Sequence, residues 1–397
     1  MIIQAIHNTL PFTSLTFAMF MVIMIALFLF FKWMNAKQNA YKWLLFFFNL
    51  FYLTILFPKP LQIILLIVYL YLAVLLLRRF YTSENVVLPM LILALPMIYM
   101  KYINAQPASE NDGAFLTESR KIIQIAGLSY MIFKVIGLYI DERRTAAKIS
   151  FVHFFNFTAF VPALLIGPID RYARFREDCI KGFENISISL YQKAWNSLVL
   201  GLLFKFIIAE FIHRMLLSHV VNDGTFIYHV SYMYTYLFYL FFDFAGYSLL
   251  AISFGNFIGI HVPVNFDKPF LAVNPKEFWK RWHKSLGDWL NDYFFKPIFK
   301  FLTTKKWFNS IQRQSVALFL TFALMGFWNG FELHFVISGM LFGVYSVIHN
   351  YYQHKCKVKG KDVFFGSASP VVVKYLSLFL MINSVAFAIY IFSGKLF

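Results

Sequence analysis

Three places in the chain join chemically capable residue types to surroundings that make them costly to keep. Asp243 lies in Phe241-Phe242-Asp243-Phe244-Ala245-Gly246-Tyr247-Ser248, an acidic side chain inside an apolar run. Ionisable residues in such runs face a bundle interior or a cavity, and Ala245, Gly246 and Ser248 allow close helix contact or local unwinding. A structural pairing with a basic residue and a role in positioning an active-site group fit Asp243 equally well. Glu277-Phe278-Trp279-Lys280-Arg281-Trp282-His283-Lys284-Ser285 mixes aromatics with charges at near-helical spacing, the composition of a helix lying at a membrane surface. That reading accounts for the charges and leaves His283 unexplained. Met325-Gly326-Phe327-Trp328-Asn329-Gly330 ends on Asn329, whose amide donates and accepts hydrogen bonds but cannot serve as a general base near neutral pH. Lys134 and Lys205 are further charges within apolar segments, rated lower because a lysine stem can carry its ammonium to the surface. His153, His213, His219 and His261 are scattered without metal-ligand spacing, so no metal site is expected.

The elements that hold these residues follow from hydropathy. Of the 397 residues, 60% are hydrophobic and 14% charged, and the mean hydropathy is +0.63. Soluble domains are roughly half apolar and a quarter charged, so a soluble fold is excluded. Repeated windows of about 20 uncharged residues predict membrane-spanning helices over 12–33, 43–57, 60–77, 86–100, 122–140, 197–217, 226–252, 315–331, 333–352 and 371–393. The apolar run Ile2–Phe31 lacks a basic leader and a cleavage site and is expected to be retained. A net charge of +17 is spread over short loops and reflects the positive-inside bias of membrane proteins, so nucleic acid is not an expected partner. Lys32, Lys37, Lys42, Arg78 and Arg79 place the first and third loops in the cytoplasm and Met1 outside. Cys179 and Cys356 form neither a disulfide framework nor a metal pattern.

One segment resists this topology. Residues 149–169 are uncharged and long enough to span, yet both flanking loops are basic, through Arg143, Arg144 and Lys148 on one side and Arg171, Arg174, Arg176 and Lys181 on the other. Pro162, Gly167 and Pro168 interrupt it. A broken or re-entrant segment is predicted, which membrane depth tolerates only where protein or a water-filled cavity covers it. Asn185-Ile186-Ser187 fits a glycosylation triplet by pattern alone.

Asn265-Phe266-Asp267-Lys268-Pro269-Phe270, followed by Glu277 to Leu286 and Asp292-Tyr293, resembles the central signature of the membrane-bound O-acyltransferases. Gly127-Leu128-Ser129-Tyr130, Gly167-Pro168-Ile169-Asp170-Arg171-Tyr172 and the Asp243 segment fall in that family's order and spacing, so the resemblance covers nearly the whole chain. The Gly-Pro-Ile-Asp-Arg and Asn-Phe-Asp-Lys-Pro-Phe forms and the short length are similar to the DltB branch, which moves D-alanine onto teichoic acid, and less like the longer alginate O-acetyltransferases. The resemblance implies one all-α, multi-pass domain over 1–397, a ring of about ten to twelve transmembrane or re-entrant helices around a central tunnel, in a bacterial plasma membrane, with 263–314 as an amphipathic segment on its cytoplasmic side. It implies no bound cofactor. The D-alanyl group would arrive as a thioester on the 4'-phosphopantetheine of a carrier protein, and membrane proteins of the lipoteichoic acid pathway would be partners.

By the same resemblance His283 and residue 329 are the catalytic positions, with Asp243, Arg281, Trp282, Ser285, Trp328, Asp170 and Arg171 lining the tunnel or supporting the motifs, and Phe295, Phe299 and Leu302 docking the carrier. Acyl transfer from sulfur to a hydroxyl needs a base and donors for the developing oxyanion. The family places a histidine where this chain has Asn329. A variant made to trap or disable the enzyme, a natural homologue with lost or changed activity, and transfer of the role to another histidine all account for that. His283 is the better substitute, because His334, five residues on, points about 140° away if the helix continues. A catalytically impaired protein or non-catalytic scaffold that keeps the docking surface is the second functional expectation. A transporter, suggested only by broken helices and buried charge, ranks last.

Overall fold

A computed structural model describes residues 15–57, 59–105, 127–145, 147–220, 224–360 and 369–396. Among them no strand occurs, and the fold is all-α. The helices are α1 (Leu15–Trp33), α2 (Gln38–Leu56), α3 (Pro60–Phe80), α4 (Val87–Ala105), α5 (Leu128–Glu142), α6 (Phe151–Thr158), α7 (Tyr172–Lys181), α8 (Ile188–His219), α9 (Phe226–Phe257), α10 (Pro275–Trp279), α11 (Lys284–Leu290), α12 (Lys296–Thr304), α13 (Ser310–Asn329), α14 (Leu333–Val358) and α15 (Pro370–Phe392). Five of them, α3, α8, α9, α14 and α15, are long and apolar enough to cross a membrane. Each expected span falls on a helix, although residues 2–14 and 122–126 lie outside the described residues. Several helices overrun their apolar windows. α8 begins at Ile188 rather than 197, and α9 and α14 reach Phe257 and Val358, because polar residues at helix ends prolong a helix without adding hydropathy.

The chain divides into two units, one of residues 1–202 with 246–263, the other of 203–245 with 264–397. In the first, α2 buries a stripe of Tyr41, Leu45, Asn49, Tyr52 and Leu53, the spacing of one helix face. Against it lies the predicted broken segment. α6 has eight residues and, at 1.5 Å per residue, reaches only about 12 Å. A single 3₁₀ turn, Val161–Ala163, follows, and no regular helix returns before Tyr172.

Two asparagines satisfy the backbone freed by this break. Asn49 Nδ2 donates to Asn156 Oδ1 at 3.1 Å, and Asn49 Oδ1 accepts from the Val161 amide at 3.2 Å. Asn156 Nδ2 donates to the Lys42 carbonyl at 2.8 Å. Covered by protein in this way, irregular backbone is tolerable at membrane depth. Gly127 belongs to the same arrangement. Its φ is +94°, and a Cβ there would stand 2.2 Å from the Leu164 carbonyl oxygen, so only glycine lets α5 begin beside the broken segment.

In the second unit α13 and α14 form an antiparallel hairpin whose crossing is set by glycines. A Cβ on Gly326 would meet the Phe335 carbonyl at 2.6 Å, and one on Gly339 would meet the Phe322 carbonyl at 2.6 Å and Gly326 Cα at 2.7 Å. Gly339 and Gly343 stand four residues apart, the small-residue spacing that lets helices approach closely in membranes.

Candidate active site

The motif block of the second unit folds into a short, heavily tied structure. Asn265-Phe266-Asp267 runs beside Arg281-Trp282-His283-Lys284: the Asp267 amide donates to the Arg281 carbonyl at 2.9 Å and the Lys284 amide to the Asn265 carbonyl at 2.8 Å. The Asn265 side chain closes the turn, its Oδ1 accepting from Ser285 Oγ at 2.5 Å and from the Ser285 amide at 3.4 Å. Arg281 donates to Glu277 at 2.7 Å, and the α10 N-terminus is capped by Asn274, which accepts from the Glu277 amide at 2.8 Å. Asn265 is fully buried, so the polar groups it satisfies would otherwise be left unpaired at substantial cost.

This arrangement fixes His283. The residue sits in the left-handed region, φ 44° and ψ 49°, immediately before α11. Non-glycine residues rarely adopt that conformation, and strained positions of this kind cluster at functional sites. The imidazole is buried and meets the ring of Phe244 edge to face at 4.7 Å. Phe244 also packs on Phe266 at 5.0 Å, while Trp282 packs on Phe266 at 5.2 Å, Phe278 at 5.5 Å and Phe241 at 5.9 Å. Each such aromatic pair contributes roughly 0.5–1.5 kcal/mol beyond its buried area. Burial pushes the His283 imidazole down to about 3, because the desolvated site disfavours the charged form. At neutral pH His283 is therefore an uncharged imidazole and a weak base as it rests.

Asp243 lies one residue before Phe244 and is ion-paired with Lys205. Lys205, whose stem could have carried its ammonium to the surface, stays inside: its side chain is 2% exposed. A lysine surrounded by hydrocarbon is better stabilised by a nearby carboxylate than by stretching to water. Lys205 stands in a π-helical stretch, Leu203–Ile208, a widening often found at functional sites. Lys134, in the first unit, is likewise buried, with its ammonium 3.3 Å from the Phe157 carbonyl.

Asn329 is the last residue of α13, and its Nδ2 donates to the Met325 carbonyl at 2.8 Å. Trp328 and Asn329 are both half-buried. Asn329 lies three residues beyond the hairpin's Gly326, followed by the turn Gly330–Glu332 into α14. The helix therefore does not continue to His334. That residue lies in the first turn of α14, 4.0 Å ring to ring from Phe335, and its angular offset from Asn329 is set by the turn and not by one continuous helix.

The structure thus gathers His283, Arg281, Trp282 and Ser285 into one tied block, leaves Asp243 paired with Lys205 one residue before the Phe244 that touches His283, and puts Trp328 and Asn329 on the hairpin of the same unit. Asp170 and Arg171 belong to the first unit. There Asp170 accepts from Arg174 Nε at 2.9 Å and from the Arg171 amide at 2.6 Å, and Arg171 lies 3.9 Å from Asp141. Burial raises the Asp170 carboxyl above its ordinary range, opposed by Arg174. Its contacts are those of a structural clasp at the start of α7. Asn185, of the glycosylation triplet, donates to Asp178 and to the Gly259 carbonyl, each at 3.0 Å, and its side chain is committed to the fold.

The docking expectation needs one correction. Phe295 and Phe299 are half-buried and stacked at 6.0 Å, but Leu302 is buried beneath α12. An offset of three residues from Phe299 keeps it on the inward face. The exposed apolar surface is offered instead by Phe301, Trp307 and Phe308. Asn265, Lys205 and Phe244 are the site residues that sequence reasoning did not single out. Asn265 was visible only as part of a motif, and Lys205 as an intramembrane charge.

Five helices able to cross a membrane and a buried, strained histidine turn define a multi-pass helical membrane protein with an enclosed polar site. The chain belongs to the membrane-bound O-acyltransferase family, which matches residues 2–392. It is therefore an acyltransferase by family. The teichoic acid D-alanyltransferase of Streptococcus thermophilus is 34% identical over 293 residues, 70% of each chain. That of Bacillus subtilis is 34% identical over 283 residues, again 70% of each, and that of Lacticaseibacillus rhamnosus is 30% identical over 321, covering 76% of this chain and 75% of the relative.

Proposed function

We propose that the chain moves a D-alanyl group from the 4'-phosphopantetheine of a carrier protein through the membrane toward lipoteichoic acid, together with membrane partners of that pathway. The observation that carries this reading is the similarity to three teichoic acid D-alanyltransferases over 70% or more of the chain. The reaction is attack of a hydroxyl oxygen on the thioester carbonyl. The C–S bond breaks, an ester C–O bond forms, and the hydroxyl proton ends on the departing thiol. A tunnel within the protein would spare the aminoacyl ammonium a passage through hydrocarbon, where ionised groups are costly. His283, held neutral, is suited to hydrogen-bonding the reacting groups and poorly suited to retaining a proton.

The carrier docks on the surface of Phe299, Phe301, Trp307 and Phe308, the last three exposed and Phe299 half-buried, with Lys300, Lys305 and Lys306 beside them. Apolar anchors ringed by cations suit an acidic partner.

Asn329 favours a second reading, a catalytically impaired protein or scaffold that keeps this surface. Its amide is engaged with its own helix, and no asparagine removes a proton at neutral pH. The deciding experiment is transfer of labelled D-alanine from its loaded carrier, in membranes holding the other pathway components, by the chain as it stands and by its Asn329→His form. Transfer by either supports the acyltransferase reading. Carrier binding without transfer by both supports the scaffold.

A further inference from the structure

In the first unit, the end of α3 and the connection from α5 to α6 border an open surface cavity of about 480 Å³. Four of its lining residues are cationic and none is acidic: Arg78 and Arg79 come from α3, Arg143 and Lys148 from the connection, and Leu75 and Ile149 supply an apolar wall. Neutral partners aim these cations. Arg78 Nη2 donates to the Thr145 and Ala147 carbonyls at 2.8 and 3.0 Å, and Arg143 Nη1 donates to the Ser83 and Glu84 carbonyls at 3.4 and 3.3 Å. A carbonyl orients a guanidinium without cancelling its charge, and these bonds leave Nη1 and Nε of Arg78 for another acceptor. The Glu84 carboxylate is taken at 2.7 Å by Arg144, which does not line the cavity. Among the described residues no carboxylate pairs with any of the four lining cations. Like charges gathered in this way repel, and an anion in the cavity offsets the repulsion.

The face of α3 beside the cavity indicates which anion. Leu61, Leu65, Leu72, Leu76 and Phe80 are all exposed, at the spacing of one helix face, on a helix long and apolar enough to cross a membrane. That stripe runs up to the cavity, because Leu72 stands three residues before Leu75 and Leu76 three before Arg79, and residues so spaced are neighbours on a helix surface. A molecule with a phosphate among the cations can therefore lay apolar tails along α3, whereas a free phosphate would use the charges alone. We propose that this cavity binds the headgroup phosphate of an anionic phospholipid, whose acyl chains lie along the exposed face of α3. By the positive-inside bias this end of α3 lies at the cytoplasmic leaflet, where basic pockets between transmembrane helices take such headgroups. The bound lipid would bridge α3 to the α5–α6 connection that Arg78 already ties to it. No bond is made or broken, and the assignment depends neither on the D-alanyl reading nor on the residue at 329.

The test measures binding of dioctanoyl phosphatidylglycerol, dioctanoyl phosphatidylcholine and inorganic phosphate to the full-length protein in an uncharged detergent, with bound molecules counted by native mass spectrometry. Phosphatidylglycerol should bind saturably and about tenfold or more tighter than either competitor. The choline cation of one meets four others, and inorganic phosphate leaves the apolar stripe uncovered. Arg78 and Arg143 hold backbone, so the variants are made at Arg79 and Lys148, which are exposed and make no side-chain bond to backbone among the described residues. Arg79→Gln with Lys148→Gln should weaken phosphatidylglycerol binding by about fivefold for each charge removed. Lys37→Gln with Lys42→Gln removes the same charge from the first loop, outside the cavity, and should leave the affinity nearly unchanged. An equal loss in both pairs would reduce the effect to a general attraction of basic loops for anionic lipid and would overturn the site. Equal binding of the two phospholipids would overturn it as well, and inorganic phosphate that binds as tightly as phosphatidylglycerol would overturn the lipid assignment.

Discussion

His283 and Asn329 are the two positions to which the sequence resemblance assigns catalysis, and their surroundings treat them in opposite ways. His283 is enclosed. Two stretches of backbone bond on either side of it, the Asn265 side chain fastens the next turn, and the Phe244 ring meets its imidazole. Asn329 ends a helix, half-buried, held through its own amide to the carbonyl one turn back. The conformation at 283 is strained and depends on every neighbour, so a change there disturbs the fold as well as the chemistry. The conformation at 329 is plain helix, and its neighbourhood is fixed three and ten residues away, where Gly326 and Gly339 cross. A substitution at 329 can therefore change chemistry while leaving the glycine crossing intact.

The largest expected effect tests the chemical half of this contrast. Asn329→His should raise the rate of acyl transfer by about two to four orders of magnitude, the contribution of a positioned general base. His283→Ala, made in both backgrounds, separates the roles. Robust transfer by the unmodified chain that disappears with His283→Ala would mean that the base has moved to the enclosed histidine, despite its low proton affinity. Transfer surviving the loss of both would refute a histidine base altogether.

The scaffold half is tested at the crossing. Gly339→Val would put a branched side chain where a Cβ already meets Gly326 Cα at 2.7 Å and the Phe322 carbonyl at 2.6 Å. Overpacking of this kind costs about 1–3 kcal/mol. The thermal midpoint in detergent should fall by several degrees, and the rate gained by Asn329→His should be largely lost, because the tip carrying residue 329 is no longer held. A variant that melts lower but keeps the full gain would uncouple the crossing from the site.

Asn265→Ala tests the enclosed histidine from its support. It removes the acceptor of a buried hydroxyl and its amide, a loss of about 1–3 kcal/mol. Exchange protection should fall across 281–287 and stay unchanged across 326–339. Uniform loosening of both stretches would mean that the two positions are not independently supported.

Much of this was legible in the sequence, and the rest was hidden for physical reasons. Charge on both flanks of 149–169 and the Pro162 and Gly167-Pro168 breaks foretold an interrupted helix, because orientation and helix geometry are both read from local residue types. Leu302 was misplaced because α12 turns its inward face toward a partner that sequence spacing does not name. Lys205 looked like a surface-seeking charge, since only the fold brings Asp243, thirty-eight positions later, to meet it. The strained φ at His283 has no signature in the residue itself; it arises from bonds made by Asn265, eighteen positions earlier. In each case the missing information was a contact between segments distant in the chain.

The smallest effect concerns the proton of the enclosed histidine. An imidazole with an ordinary value near 6.5 when unfolded and one pushed down to about 3 when folded binds more protons in the unfolded state between those limits. Its contribution to stability is intact at neutral pH and is lost as the pH falls from about 6.5 toward 3, with a slope of up to about 1.4 kcal/mol per pH unit. His283→Gln keeps a polar side chain of similar reach and carries no such linkage. Thermal midpoints measured in detergent from pH 7.5 to 4.5 should therefore fall more gently for His283→Gln than for the unmodified chain, and the two curves should run parallel above pH 7. Asp170, whose carboxyl burial raises, is present in both proteins and drops out of the difference. Parallel curves throughout would mean that water or a counter-charge reaches the imidazole, and the distinction between an enclosed histidine at 283 and an open position at 329 would have to be withdrawn.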